Sequence, residues 1–133
     1  MSRVVLDTHS AIWYLESSPK LSARARVAVQ SAIAAGVPVF VSPVTVVELT
    51  YLIEKGRFPQ TLLDQLLSLL RQPTSGFRVA PFDLGPAETL RSVSSAIVRD
   101  MPDRMIAATA LALGLPLVTR DRQIHASGIT VIW

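Results

Sequence analysis

Four acidic residues lie at positions where carboxylates can do chemistry instead of facing solvent. Asp7 directly follows the apolar run VVL, and Asp121 ends the stretch LPLVTRD. Asp103 lies at the predicted start of an apolar helix, and Glu48 lies inside an earlier helix. Because ligands bind beyond the carboxyl ends of strands in open α/β sheets, acids delivered to that edge are placed for metal or phosphate chemistry.

Each of the three aspartates also has an ordinary structural interpretation. Asp7 and Asp121 can cap the helices that follow them, since Asp side chains accept hydrogen bonds from the N-terminal N–H groups of helices. Asp103 would be favoured in the first turn of a helix by the helix dipole. Asp100, three residues earlier, is either the cap of that helix or an auxiliary acid of the site. No single aspartate therefore decides between a cap and a site.

Glu48 is the acid that is hardest to explain as a surface residue. Its neighbours three and four positions away are Val44, Thr45, Tyr51 and Leu52, so it lies on a largely apolar helix face. A carboxylate on such a face is unfavourable unless it is paired or bound. We expect it either to reach solvent or a salt-bridge partner beyond that face, or to join the other acids.

Together the four acids predict a divalent metal site. Carboxylates packed in one place repel each other, so one or more of them would stay protonated. Mg²⁺ or Mn²⁺ removes this repulsion, and carboxylate oxygens are hard ligands that suit both ions. Two ions about 4 Å apart can stabilise the attacking and leaving oxygens of phosphodiester hydrolysis, whereas a single ion can activate water and bind a phosphate oxygen. The sequence leaves the number of ions open.

Alternating strands and helices must position these acids. The apolar runs VVL, VFV and LPLV are typical of strands buried on both faces of a parallel sheet. Further strands are predicted at 77–82, on the sheet edge because of Pro81, and at 129–133. Helices are predicted at about 8–16, 22–35, 43–56, 59–71, 86–98 and 103–114, with a short helical turn after Asp121. The pattern predicts an α/β fold in which one domain spans residues 1–133.

The composition excludes several classes of protein. The 133 residues include no cysteine, which excludes disulfides, thiolate zinc sites and cysteine nucleophiles. The apolar stretches fall short of the roughly 18 residues of a membrane span, and the early Asp7 interrupts any signal-peptide core. We therefore expect a cytoplasmic protein with no membrane partner. The net charge of +3 permits a nucleic-acid partner, and eleven of the 13 basic residues are arginines, which suit phosphate contacts.

Four motifs, in order, resemble the PIN domain, and more specifically the VapC-type toxins of bacterial toxin–antitoxin pairs. These motifs are LDTHS, VVEL, PDRMIAATAL and LVTRD, and they extend over essentially the whole chain. The resemblance implies a three-layer α/β/α sandwich around a central, mostly parallel sheet. It also implies an endoribonuclease that depends on Mg²⁺ or Mn²⁺ and hydrolyses RNA phosphodiester bonds to arrest translation.

The resemblance also implies roles for individual residues. Asp7 and Asp103 would be the direct metal ligands, and Glu48 and Asp121 would complete the site through the metal or its waters. Thr119 occupies a position where the family often has Ser or Thr, and its hydroxyl could hold a water or an acid in place. Family members are held inactive by a VapB-like antitoxin and commonly dimerise. We therefore expect an antitoxin and a second copy of the chain as partners, beside the RNA substrate.

Basic residues and histidines flank the acids in the sequence. Arg104, Arg120 and Arg122 could clamp RNA phosphates. The ordinary alternative for Arg104 is a contact with a neighbouring acid or with the helix surface. His9 could act as a general base, but metal-activated water makes this unnecessary, and we expect neither His9 nor His125 to be catalytic.

Two apolar features have more than one interpretation. Trp13 and Tyr14 either pack within the domain or line a groove that receives an apolar antitoxin helix. The leucines between Leu62 and Leu70 are either buried in the domain or shared with a second copy.

Other functions fit some of the same residues. A magnesium-dependent phosphatase also has an Asp after its first strand, but it needs a second Asp two positions later, where this chain has His9. A receiver-type phosphoacceptor needs an Asp after a middle strand and a late Lys, and the chain has neither. A catalytically inactive PIN-like module that binds RNA or protein belongs to another class, and the presence of all four acids argues against it.

Overall fold

A parallel sheet of five strands forms the centre of the computed structural model, which describes residues 2–133. The strands are β1 (Val4–Leu6), β2 (Val39–Val41), β3 (Phe77–Val79), β4 (Leu117–Val118) and β5 (Val131–Ile132), in the spatial order β3-β2-β1-β4-β5. The neighbouring strands pair in parallel throughout. The central strand β1 and its neighbours β2 and β4 are the strands that lead towards Asp7, Glu48 and Asp121.

Helices cover both faces of this sheet. They are α1 (Thr8–Leu15), α2 (Ala23–Ala34), α3 (Pro43–Glu54), α4 (Gln60–Arg71), α5 (Leu84–Thr89), α6 (Met101–Leu113) and α7 (Arg122–Ala126). The predicted three-layer α/β/α arrangement around a parallel sheet is confirmed. Among the helices formed by residues 2–133, none has the length and hydropathy needed to cross a bilayer.

The two faces of β1 point into separate apolar clusters. Val4 and Leu6 pack on one side with residues of α1, α2 and α4, and Val5 packs on the other side with residues of α6. This alternation follows the two-residue period of a strand. Because both faces of β1 are buried, all three of its residues are apolar. Asp7 is the residue that directly follows this tightly packed strand.

The leucine-rich helix α4 uses much of its apolar arc inside the domain. Leu62, Leu63 and Leu66 are buried in the cluster that contains Val4. The leucines that complete the arc are partly buried and pack against the same cluster. Of the two interpretations of this helix, burial within the domain therefore accounts for its central leucines.

The predicted helix at 86–98 is wrong in both of its bounds. Helix α5 begins at Leu84, and a 3₁₀ turn at Leu90–Ser92 ends the helical segment. The Arg104 guanidinium of α6 donates hydrogen bonds to the carbonyls of Leu90 and Val93, both at 3.0 Å. In a longer helix these carbonyls would accept hydrogen bonds from backbone N–H groups further along the chain. Here the Arg104 side chain of α6 donates to them instead.

The strands are shorter than the apolar runs that predicted them. The run predicted as a strand at 77–82 pairs only over Phe77–Val79, at the sheet edge as expected from Pro81. The run at 115–119 pairs as a strand only over Leu117–Val118. Single backbone hydrogen bonds to the neighbouring strands continue at Ala80, Pro116 and Thr119, one residue beyond the paired segments.

Candidate metal centre

Asp7 lies just past the carboxyl end of β1 and is 8% exposed. Its Oδ1 accepts a hydrogen bond from the backbone N–H of Ser10 at 2.9 Å, so it caps α1. Its Oδ2 accepts a hydrogen bond from the hydroxyl of Thr119 at 2.5 Å. The capping interpretation is correct, but it uses one carboxylate oxygen and does not exclude a role in a site.

Thr119 connects Asp7 to Asp121 across neighbouring segments. Besides donating to Asp7, its Oγ1 accepts a hydrogen bond from the backbone N–H of Asp121 at 3.0 Å. Asp121 also caps α7, because its Oδ1 accepts from the backbone N–H groups of Gln123 (2.8 Å) and Ile124 (3.3 Å). Both strand-end aspartates therefore cap a helix and lie next to the same threonine hydroxyl.

At the start of α6, the cap is Asp100 and not Asp103. The Oδ2 atom of Asp100 accepts a hydrogen bond from the backbone N–H of Asp103 at 3.3 Å. Asp103 lies in the first turn of the helix, directly after Pro102. Since Asp100 performs the capping, the carboxylate of Asp103 is available for another role.

Two threonines orient Glu48, which is half-buried. The Thr8 hydroxyl donates to Oε1 of Glu48 at 2.5 Å, and the hydroxyls of Thr8 and Thr45 lie 3.2 Å apart. Both threonines are buried. The sequence interpretation missed them, although a signal was present: Thr8 directly follows Asp7, and Thr45 lies three residues before Glu48 on the same helix face.

These acids converge on one cavity of about 390 Å³. Its lining includes five carboxylates, from Asp7, Glu48, Asp100, Asp103 and Asp121, together with the side chains of His9, Trp13 and Arg120. The five acids come from four segments, because Asp100 and Asp103 both lie at the start of α6. They meet where β1 and β4 end, beside Glu48 on α3. The structure thus brings together all four acids proposed from the sequence, along with the auxiliary Asp100.

The electrostatics of the cavity follow from burial and from the crowding of like charges. Burial, together with the neighbouring carboxylates of Asp100 and Asp121, raises the pKa of Asp103 to about 8. Burial also raises the pKa of Glu48, although the hydrogen bond from Thr8 opposes this shift. Burial raises the pKa of Asp7 as well, against the lowering effect of its hydrogen bonds. Without a cation, the cluster therefore retains protons that isolated carboxyl groups would have lost.

The chemistry of the donor set fits a hard divalent cation. Among residues 2–133, no group of three or more Asp, Glu or His side chains is already arranged to hold an ion. Mg²⁺ does not need such a cage, because it keeps several waters and is commonly bound through one or two carboxylates. The raised pKa values of Glu48 and Asp103 are a second sign of fit, since a cation would relieve the carboxylate repulsion that contributes to them.

The basic residues and histidines near the acids divide into two groups. Arg120 and His9 line the acidic cavity. Arg104 does not: it lines a different cavity, beside Leu90, and donates to backbone carbonyls. The structure therefore places the Arg104 guanidinium away from the acids, against backbone carbonyls of the segment that precedes α6. The imidazole Nε2 of His125 lies 3.0 Å from the carbonyl oxygen of Thr119.

Comparisons with known proteins agree with this architecture. A family model described as PIN domain matches residues 4–128. The chain is 31% identical to "Ribonuclease VapC22" of Mycobacterium tuberculosis over 126 residues, which are 95% of this chain and 92% of that protein. Its fold is similar to that in a DNA-bound VapBC structure from Salmonella typhimurium, with a TM-score of 0.71, 24% identity and coverage of 98% and 97% of the two chains. It is also similar to a chain of a toxin–antitoxin complex from Klebsiella pneumoniae, with a TM-score of 0.63, 21% identity and coverage of 98% and 96%.

Proposed function

Because this chain belongs to the PIN domain family, we propose that it is a metal-dependent endoribonuclease that acts as the toxin of a toxin–antitoxin pair. The observation that carries the proposal is the cavity with five carboxylates at the carboxyl edge of the sheet, in a chain whose relative is named a ribonuclease. The reaction would be hydrolysis of an RNA phosphodiester, in which a water oxygen forms a bond to phosphorus and a phosphorus–oxygen bond to ribose breaks. A cytoplasmic location belongs to this proposal.

A bound Mg²⁺ or Mn²⁺ would supply charge stabilisation at the phosphate and a lower pKa for water. Hydrogen bonds from the protein's own residues orient the carboxylates that would bind such an ion. Asp7, held by Ser10 and Thr119, and Asp103 are proposed as direct ligands. Glu48 and Asp121 are proposed to complete the site through the metal or its waters.

Asp103 has a further role in this proposal. Its pKa of about 8 means that its carboxyl group holds a proton near neutral pH when no cation is present. Loading of the site would release that proton, since carboxylates bind metal in their ionised form. The apparent metal affinity should therefore rise with pH until Asp103 is ionised without help from the cation.

The proposed partners are a VapB-like antitoxin and a second copy of the chain. Support for the antitoxin comes from the structural relatives, which were solved as VapBC or toxin–antitoxin complexes. The chain also has exposed apolar side chains that a partner could cover, including Val47 at 68% and Tyr51 at 56% exposure on α3. A free molecule would leave these side chains in water.

Replacement of Asp7 by Asn tests the nuclease proposal. Asp7→Asn keeps the size of the side chain and an oxygen for the cap but removes the charge, so RNA cleavage in Mg²⁺ or Mn²⁺ should be lost while thermal unfolding remains cooperative. RNA ends are mapped after induction of wild type and variant in cells, and cleavage is repeated with purified protein. The matched control is Asp64→Asn, an exposed acid on α4 outside the cavity, which should cleave like the wild type.

Undiminished cleavage by Asp7→Asn would refute the metal-site mechanism. Binding of RNA by the wild type without any cleavage in either metal would favour the alternative of a catalytically inactive PIN-like module. Hydrolysis of small phosphomonoesters without RNA cleavage would favour the phosphatase alternative.

A further inference from the structure

One wall of the acidic cavity is aromatic and cationic. His9, Trp13 and Arg120, here called the Trp13 wall, line the cavity that the five carboxylates also line. The Arg120 guanidinium carbon lies over the Trp13 indole, 5.4 Å from the ring centroid. The His9 ring packs against the same indole, with 5.5 Å between centroids and 49° between ring planes.

The indole of Trp13 packs against the interior of the domain, whereas its two neighbours in the cavity lining are exposed. Trp13 packs against the apolar cluster of the domain and against Trp133, with 5.9 Å between ring centroids. His9 and Arg120 are exposed to solvent. The wall therefore consists of a fixed aromatic base that supports an accessible imidazole and an accessible guanidinium.

This combination has the chemistry of a nucleobase platform. Unpaired bases in RNA are recognised by stacking on aromatic rings and on arginine guanidinium planes. A guanidinium over an indole is attracted to the face of the ring, and its own planar group can stack on a base. Among the residues that line the cavity, Arg120 also carries a positive charge where five carboxylates would otherwise repel a phosphate.

We propose that an unpaired nucleotide adjacent to the scissile phosphate stacks on the Trp13 wall, with Arg120 contacting both its base and its phosphate. This inference rests on the proposed nuclease function, because it places the nucleotide next to the acid site. It specifies the substrate as RNA that is single-stranded at the cleavage position. A base inside an A-form duplex is already stacked on its neighbours and paired, so it cannot present its face to the wall.

Tryptophan fluorescence reports this contact directly, because the chain has two tryptophans. In an Asp7→Asn background, which prevents cleavage, Trp133→Phe leaves Trp13 as the single tryptophan. Three probes of equal length are titrated in Mg²⁺: a mixed-sequence single-stranded oligoribonucleotide, its duplex, and an oligomer of abasic ribonucleotides. Single-stranded RNA should quench Trp13, whereas the duplex and the abasic oligomer should quench it weakly or not at all.

Variants of Arg120 separate stacking from charge. Arg120→Ala should weaken binding of the single-stranded probe by roughly 5- to 150-fold, the range for loss of one stacked base. Arg120→Lys keeps the charge but loses the planar group. Compared with Arg120→Ala, it should restore the salt dependence of binding, but it should not restore the preference for single-stranded RNA over the abasic oligomer. Arg120 is exposed, so these variants should fold even where a replacement of Trp13 would disturb packing.

The chain provides a matched control for the variants. Lys55 lies over the ring of Tyr51 at 5.3 Å, and neither residue lines the acidic cavity. Lys55→Ala removes a cation from an exposed aromatic ring at a second place, so it should leave the preference for bases unchanged. Equal losses from Lys55→Ala and Arg120→Ala would show that general charge, not the wall, determines binding, and would overturn the inference.

The two proposals fail in different experiments. RNA cleavage by the wild type, combined with no base-dependent quenching of Trp13 and no effect of Arg120→Ala, overturns the Trp13 wall and leaves the nuclease in place. Base-dependent quenching without cleavage supports the wall as a single-strand binding surface and refutes the nuclease. Equal binding of single-stranded and duplex probes overturns the wall even if cleavage occurs.

Discussion

The hydroxyl of Thr119 is the smallest group on which the arrangement of the acids depends. It donates to Oδ2 of Asp7 and accepts from the backbone N–H of Asp121, so one atom sets the relative position of two acids. Thr119 is fully buried, so no solvent replaces these contacts when the hydroxyl is removed. Partners that orient proposed metal ligands in this way strongly affect metal binding.

Thr119→Val should therefore lower metal-dependent cleavage by about 10- to 100-fold, because Asp7 loses the bond that orients it. Thr119→Ser keeps the hydroxyl and should recover most of the activity. The measurement is the cleavage rate as a function of Mn²⁺ concentration for the three proteins. A serine variant as impaired as the valine variant would contradict an orienting role for the hydroxyl.

Asp103 gives the metal-free protein a pH-dependent stability. Its pKa rises from an ordinary 3.8 to about 8, so between these values the folded chain binds more protons than the unfolded chain. Below pH 3.8 Asp103 therefore makes its full contribution to the free energy of unfolding. This contribution is lost as the pH rises through about 8. Asp103→Asn removes the titrating group and therefore this loss. The melting temperature of the variant should rise relative to that of the wild type as the pH increases.

Thermal melts in chelator across that pH window check this prediction. Asp64→Asn is the matched control, since Asp64 is exposed and lies outside the acidic cavity. A parallel pH profile for wild type and Asp103→Asn would show that Asp103 is not protonated in the folded protein near neutral pH.

At the scale of elements, α6 fixes the loop that precedes it. Arg104 on its first turns donates to the carbonyls of Leu90 and Val93, and its Nε is buried without a hydrogen-bond partner. The segment between Val93 and Asp100 has no regular helix or strand. Arg104 therefore holds this irregular segment, which ends in an acid of the cavity, against the helix that carries Asp103.

Arg104→Met should release this segment, because methionine fills similar space without the donors. We expect a loss of about 1.5–3 kcal/mol in the free energy of unfolding, as for hydrogen bonds to a charged group. Hydrogen exchange should also become faster in the 93–100 amides. Arg91→Met is the control, since Arg91 is exposed and has one long hydrogen bond of 3.4 Å to Glu88. Unchanged exchange in the 93–100 segment would contradict the anchoring role.

At the scale of the whole molecule, a well-packed frame supports a cluster of repelling charges. The two apolar clusters hold both faces of the sheet, and the sheet's carboxyl edge gathers five carboxylates. The raised pKa values of Asp7, Glu48 and Asp103 indicate that the folded state disfavours their ionised forms. A cation that binds only the folded state would stabilise the entire domain through this one edge.

Mn²⁺ should therefore raise the melting temperature of the wild type above the value in chelator. At a concentration 100 times its dissociation constant, the gain in the free energy of unfolding should be about 2.7 kcal/mol. Asp7→Asn should show little or no gain, whereas Asp64→Asn should respond like the wild type. Differential scanning calorimetry provides the measurement, and an equal response from Asp7→Asn would argue against Asp7 as a ligand.

The sequence by itself determined the parallel α/β fold and the acids at its edge. Apolar runs, helix caps and prolines are local signals, and three buried strands that each lead to an acid can bring those acids together only at the carboxyl edge of a shared sheet. For this reason the sequence alone groups Asp7, Glu48 and Asp121, and Asp103 joins them as an acid at the start of an apolar helix. Their roles as ligands remain predictions.

Only the tertiary structure decided which side chains surround that group. Arg104 lies next to Asp103 in the sequence but turns to the carbonyls of Leu90 and Val93, because the 3₁₀ turn after α5 packs against α6 on that side. Arg120 reaches the indole of Trp13, more than a hundred residues away in the chain, since β1 and β4 are neighbours in the sheet. Such contacts depend on which elements lie side by side, and local sequence patterns carry no direct record of that.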